Sequence, residues 1–214
     1  MLEALSRAAH RPGRPKDIAK REAIIKAARD LFASEPFELV TMEAVAKRAD
    51  VSKMTVYSHF HDKETLFETI VANTADQMFG TLSGPDSSDE GLRERLVAVG
   101  TAFLELVLGP DVCRMAHTLP GTLRANPGLA VRFYAAGPGR VRGTLAAIIA
   151  AAAERGELEV DDAALAADDL VSLWEGGIPT KIAYGLVDVI AAEEVGRRAR
   201  RGTEVFLRAY RRGG

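Results

Sequence analysis

The chain has 214 residues, of which 47% are hydrophobic and 27% charged, and its formal net charge is −2. That length fits one large domain or two small ones, and the composition excludes an intrinsically disordered chain. No apolar run approaches the roughly 18 to 20 residues of a membrane span. Residues 1–16 contain no apolar core of the kind a secretory signal carries. Cys113 is the single cysteine, so an intramolecular disulfide is impossible and a thiolate metal site is not expected. A soluble cytoplasmic protein follows, with no membrane, cofactor or metal implied.

The small net charge hides an asymmetry. Residues 1–29 hold eight basic side chains against three acidic ones, so the remainder is net acidic. A basic head on an acidic body fits a polyanion partner at one end, or a plain solvated tail.

Taken in chain order, almost every periodic segment is helical. Ile24, Ile25, Ala28, Leu31 and Phe32 form one apolar helical stripe, which Pro36 ends. Thr41 is placed to cap a short helix over 42–49. Residues 50–52 separate it from a second short helix carrying SKMTVYSHF, and Asp62 caps a longer one over about 63–80. Gly84 and Pro85 end that unit, and Ser87 with Glu90 has capping-box spacing for a helix reaching Leu108. GPD at 109–111 starts a shorter helix, and Pro120 and Pro127 make 119–128 read as irregular. A long helix follows over about 128–155, kinked at GPG (137–139) and closed by Gly156. Asp161 or Asp162 opens a helix that ends near Gly176 and Gly177, and the last runs from about Val187 or Ala191 to Tyr210. No strand alternation and no repeat is visible. The fold class is all-α, with roughly nine or ten helices.

The densest chemistry lies in VSKMTVYSHFHDK, residues 51–63. His59, His61 and Asp62 suggest metal ligands. On a helix, however, residues two apart project about 200° apart, whereas helical metal pairs need spacings of three or four. The DNA reading survives this test. Two short helices joined by a tight turn form a helix-turn-helix, whose second helix enters the major groove. Ser52, Lys53, Met54 and Thr55 would then meet base edges. Val56 and Phe60 would face the core, with Tyr57 and His59 projecting toward flanking phosphates. Lys63, at the start of the next helix, would meet phosphate as well.

These same residues resemble a known family. The run from Arg21 to Ile70, above all TMEAVAKRADVSKMTVYSHFHDKETLF, is similar to the DNA-binding domain of the tetracycline-repressor (TetR) family. The resemblance implies a homodimer with two helix-turn-helix heads and a helical ligand-binding body. It also implies that Thr41, Lys53, Thr55, Tyr57, His59 and Lys63 contact DNA, chiefly its backbone. Two positions depart from the pattern: Asp50 and Pro36 stand where glycines are usual. Aspartate tolerates the left-handed backbone better than most residues, so the turn should survive. Pro36 should redirect the loop after the first helix. The segment RPGRPK resembles Arg-Pro arms that lie in narrow minor grooves, which makes Arg11, Arg14 and Lys16 further contacts. The expected division is a basic arm over 1–16, a helix-turn-helix domain over 17–64 and a ligand-binding and dimerisation domain over 65–214.

Downstream, residues 126–177 are similar to the C-terminal domain of the family's AefR-like branch. Ligand cavities are mostly apolar with a few polar anchors. Phe103, Val107, Met115, His117, Phe133, Tyr134 and Trp174 are the pocket candidates on that ground, with core packing as the competing role for each. Arg114 and Arg132 are either surface residues or holders of an anionic ligand. By resemblance the last two long helices form the dimer interface, through Leu165, Leu170, Leu173, Val195, Ala199, Phe206 and Tyr210. The arginines of the last helix read as its solvated face rather than as a second DNA site.

Enzymatic readings are weaker. GPGRVRG (137–143) has the wrong glycine spacing for a dinucleotide fingerprint and no strand before it. The Asp161/Asp162 and Asp168/Asp169 pairs are explained by capping and surface charge. A DNA binder without an effector would not need so large a helical body. The expected protein is a dimeric regulator, a repressor or alternatively an activator. Its partners are double-stranded DNA with a near-palindromic operator and a small-molecule effector of unknown identity.

Overall fold

The computed structural model describes residues 14–80, 91–187 and 190–211, excepting the side chains of 14–16, 111 and 116–118. Eleven helices are present among them: α1 (Arg14–Ser34), α2 (Met42–Arg48), α3 (Lys53–His59), α4 (Lys63–Gly80), α5 (Leu92–Val107), α6 (Pro110–Ala125), α7 (Pro127–Ala136), α8 (Pro138–Glu154), α9 (Ala163–Glu175), α10 (Ile178–Ala183) and α11 (Ala192–Tyr210). The fold is all-α, and none of the described helices is long and apolar enough to cross a membrane.

Local signals set the first helices. Ser34 Oγ donates back to the Asp30 carbonyl at 2.9 Å, and Pro36 follows. Thr41 Oγ1 accepts from Ala44 N, Ser52 Oγ from Thr55 N and Asp62 Oδ1 from Thr65 N, so each of α2, α3 and α4 begins on a side-chain cap. The α2–α3 turn is a left-handed C-terminal cap. Asp50 has φ +52°, Asp50 N donates to Lys47 O and Val51 N to Ala46 O, which is the double bond pattern of the Schellman motif. The expectation for Asp50 therefore holds.

Two apolar clusters organise the packing. The head cluster joins α1 to α4 around Ile24, Ala28, Val45, Val56, Phe60 and Phe67, and recruits Leu129 of α7. Phe32 and Phe37 stack within it at a centroid distance of 5.5 Å, and Phe67 meets both edge-on at 5.1 and 5.3 Å. The body cluster is built by α5, α8, α9 and α11 around Leu96, Leu104, Leu145, Ile149, Leu170, Trp174 and Phe206. α4 belongs to both, with Leu66, Phe67 and Ile70 in the head and Met78 in the body. It is one continuous helix across the boundary expected at residues 64 and 65.

Several expectations need correction. The segment 119–128 is not irregular: α6 continues through Pro120, held by Met115, Leu119 and Leu123 against the head cluster. The long helix over 128–155 is two helices separated at Gly137. A side-chain carbon added at Gly137 would lie 2.7 Å from Val71 Cγ1, so the glycine lets this corner press onto α4. The short helix α10 was not foreseen. The helix expected to start at Ser87 begins at Leu92, and Ser87 and Glu90 lie outside the described residues. The arm ends sooner than expected, because Arg14 to Lys16 already form the first turn of α1.

Candidate nucleic-acid interface

α3 is held from behind and open in front. Val56 and Phe60 are 0% and 2% exposed and anchor it in the head cluster. On the other side Met54 is 77% and Tyr57 41% exposed, and Ser52 and Lys53 are also exposed. Ser52 Oγ and Thr55 Oγ1 share a 2.8 Å hydrogen bond at the N-terminus of the helix. The Lys53 ammonium is ion-paired with Glu43 of α2 and lies 5.6 Å from the Tyr57 ring centroid. Each partner holds the other charged: Glu43 lowers its carboxyl pKa through the hydrogen bond from Lys53, and that same bond raises the Lys53 ammonium. Thr41 is exposed at the start of α2.

Two expected contacts are placed differently. His59 does not project outward: its side chain is 11% exposed, with Nε2 3.2 Å from Asp17 Oδ1 of α1. It lies three residues from Val56 and so shares the buried side of the helix. Lys63 is turned back on its own domain. Its Nζ donates to Phe37 O at 2.8 Å and Glu38 O at 3.4 Å, over the Phe37 ring. An ammonium has three N–H donors, so this fastening leaves capacity for a phosphate. Arg11 lies outside the described residues, as do the side chains of Arg14 and Lys16.

Polar contacts bind the head to the body, and sequence reasoning left them open or missed them. Arg114 Nε of α6 donates to Ala33 O at 3.2 Å. Arg132 of α7 donates to Glu68 Oε2 and Thr65 Oγ1 of α4, at 2.8 and 2.9 Å. Both arginines are thus committed to α1 and α4. The Thr122 hydroxyl, buried in α6, donates to Glu38 Oε1 at 2.6 Å. That bond is the main reason the Glu38 carboxyl sits below its ordinary pKa. Only a view of the folded chain pairs residues 84 positions apart.

The expected ligand-pocket residues do not converge. Phe103, Val107 and Trp174 belong to the body cluster, Met115 and Phe133 pack on the head cluster, and Tyr134 is 55% exposed. The side chain of His117 lies outside the described residues. A crevice lined by Phe32, Glu35, Phe37, Phe67, Met115 and Leu119 encloses about 10 Å³, room for about one water. Among the described residues no group of three or more His, Cys, Asp or Glu could hold a metal ion.

The expected dimer residues divide as well. Leu170, Val195, Ala199 and Phe206 are 0 to 4% exposed inside the subunit's own core, so they cannot carry a contact between subunits. The Tyr210 hydroxyl is bound to Asp169 Oδ2 of the same chain at 2.6 Å. Leu165 and Leu173 remain on the outside of α9, 60% and 37% exposed, and Val205 of α11, 37% exposed, is a further outward residue beyond those expected.

A helix-turn-helix with a solvent-facing second helix, mounted on an all-helical body, defines a DNA-binding transcriptional regulator. Residues 24–70 match the family model described as bacterial regulatory proteins, tetR family, and residues 94–212 match the AefR-like transcriptional repressor C-terminal domain. The chain belongs to the TetR family, with an AefR-like C-terminal domain. It is 30% identical to the flavonoid-responsive regulator FrrA, covering 91% of this chain and 98% of that one at a TM-score of 0.71. It is 25% identical to a TetR-family transcriptional regulator from Mesorhizobium loti, covering 92% and 99% at a TM-score of 0.77. The HTH-type regulator YdeS of Bacillus subtilis is 38% identical over 63 residues, 29% of this chain. The match spans about a third (32%) of that relative's own length.

Proposed function

We propose that the protein is a homodimeric, sequence-specific repressor, released from its operator by a small-molecule effector. The observation that carries this reading is the disposition of α3: an anchored helix with Ser52, Lys53, Met54 and Tyr57 exposed and Thr55 half-buried beside them. Such a helix enters the major groove N-terminus first, while Thr41, Lys63, Arg11 of the arm and Arg14 and Lys16 of the first turn of α1 take phosphates and the minor groove. Two heads must sit about one helical turn apart, ~34–36 Å, to read both half-sites. The outer faces of α9 and α11, with Leu165, Leu173 and Val205, join the subunits.

An effector that favours another spacing of the heads lowers DNA affinity, and DNA lowers effector affinity by the same factor. The bonds from α6 and α7 to α1 and α4 are suited to carry that coupling, because they tie the reading head to the helices that bear on the body. The name of FrrA makes flavonoids the first compounds to try. No catalytic role is assigned, and the site of action is the cytoplasm, where the chromosome lies.

The test is selection of genomic fragments by the purified protein at fixed salt, with a Tyr57→Ala control. The expected result is a near-palindromic site enriched by the wild type, with affinity reduced in the variant. Equal, salt-governed binding to any duplex would overturn the reading.

A further inference from the structure

The surface beside α3 carries a carboxylate in a place where DNA would repel it. Glu43 stands in the first turn of α2 with its side chain 54% exposed, and Lys53 opens α3 at 56%. The two are ion-paired, and the ammonium also lies over the face of Tyr57. An ion pair this exposed adds little to folding stability, so stability does not account for it. Next to a phosphate backbone a carboxylate is unfavourable unless it finds a donor. In the major groove the donors are the exocyclic amines of cytosine and adenine, and the acceptors include guanine O6 and N7.

A G·C pair presents both kinds of group together. Guanine O6 and cytosine N4 are bonded to each other across the pair, so they lie about 2.9 Å apart. Lys53 and Glu43 are likewise a donor and an acceptor side by side, as an ion pair. The two edges are complementary: ammonium against O6, carboxylate against the N4 amine. The carboxylate thereby gains a second donor, and the Tyr57 ring flanks the ammonium on the same face.

We propose that Glu43 and Lys53 act as a joint reader of one G·C base pair in each operator half-site, Lys53 donating to guanine and Glu43 accepting from cytosine N4. This rests on the reading above in which α3 docks in the major groove. It makes Glu43 a specificity-determining residue on the helix that precedes the recognition helix.

The test is selection from a randomised duplex library by the full-length wild type, Glu43→Gln and Glu43→Ala, with folding of each checked by circular dichroism. Wild type should enrich a G·C pair at one position of each half-site. Glu43→Ala should lose roughly tenfold to a hundredfold of the discrimination at that position and keep the rest of the profile. Glu43→Gln should move the preference at the same position toward A·T, since a carboxamide pairs with adenine. An affinity change spread evenly over all sequences, with every position's preference intact, would show that Glu43 only tempers the charge of Lys53 and would overturn the proposal alone. If wild type selects no site, the docking reading and this proposal fall together. Should the alanine variant not fold, the glutamine profile decides by the same criterion.

Discussion

Asp62 shows how the bond that starts a helix also sets the charge state of the side chain that makes it. It caps α4 by accepting from Thr65 N at 2.6 Å, and the Thr65 hydroxyl and N–H, then the charge of Arg132, hold its carboxyl below the ordinary aspartate value. A carboxyl whose folded pKa is depressed stabilises the protein above its unfolded pKa, near 4, and that contribution fades as pH falls through the folded value. Asp62→Asn keeps a capping oxygen but removes the charge facing the N-terminus of α4. It should therefore cost about 0.5 kcal/mol at pH 7 and flatten the loss of stability below about pH 4. Urea unfolding from pH 7 down to pH 3 tests this, and an unchanged acid limb would count against it. At this scale much was legible, because caps are local: Thr41, Asp50 and Asp62 each do what their residue type and position suggest. His59 was not legible, since its orientation depends on how closely α1 approaches α3.

Among the elements, those that close on neighbouring residues could be read, and those shaped by distant contacts could not. α2, α3 and α4 follow from their caps, and Gly156, with φ +77°, ends α8 as expected. α6 reads as broken at Pro120 because the loss at proline is local, whereas the compensation comes from packing on α1 and α4. Helix spacing around Trp174 is likewise set from afar. Its indole is 0% exposed, its Nε1 donates to Thr203 Oγ1 at 3.1 Å, and glycines flank it on two helices. A side-chain carbon added at Gly100 of α5 or Gly202 of α11 would lie 2.5 or 2.6 Å from the ring. Alanine gains about 1 kcal/mol of helix propensity over glycine. The buried indole has no room to yield, and overpacking of this kind costs about 1–3 kcal/mol. Gly202→Ala should thus be net destabilising in thermal melts, and Trp174→Phe in that background should restore part of the loss. A Gly202→Ala protein that melts higher than wild type would contradict this account of the spacing.

For the whole molecule, the question is how an amphipathic helix serves a subunit's own core and a partner at once. In α11, Val195, Ala199 and Phe206 turn inward, and in α9 so does Leu170. Periodicity marks these helices as amphipathic but does not say which apolar residues face the core and which a partner. The outward residues are fewer: Leu165, Leu173 and Val205, among Asp168, Asp169, Arg201 and Arg208. If this face joins the subunits, Leu165→Glu with Leu173→Glu should place like charges against each other without disturbing either core. The double variant should keep its helical signal and sediment as a monomer. Because two linked heads gain a factor of ~10²–10⁴ over one, its operator affinity should drop by a comparable factor, while its binding to a single half-site stays near that of an isolated head. Phe206→Glu provides the contrast: a charge forced into the body core should unfold the chain and abolish both kinds of binding. A Leu165/Leu173 variant that still sediments as a dimer would move the interface elsewhere on the body and leave the reading head as described.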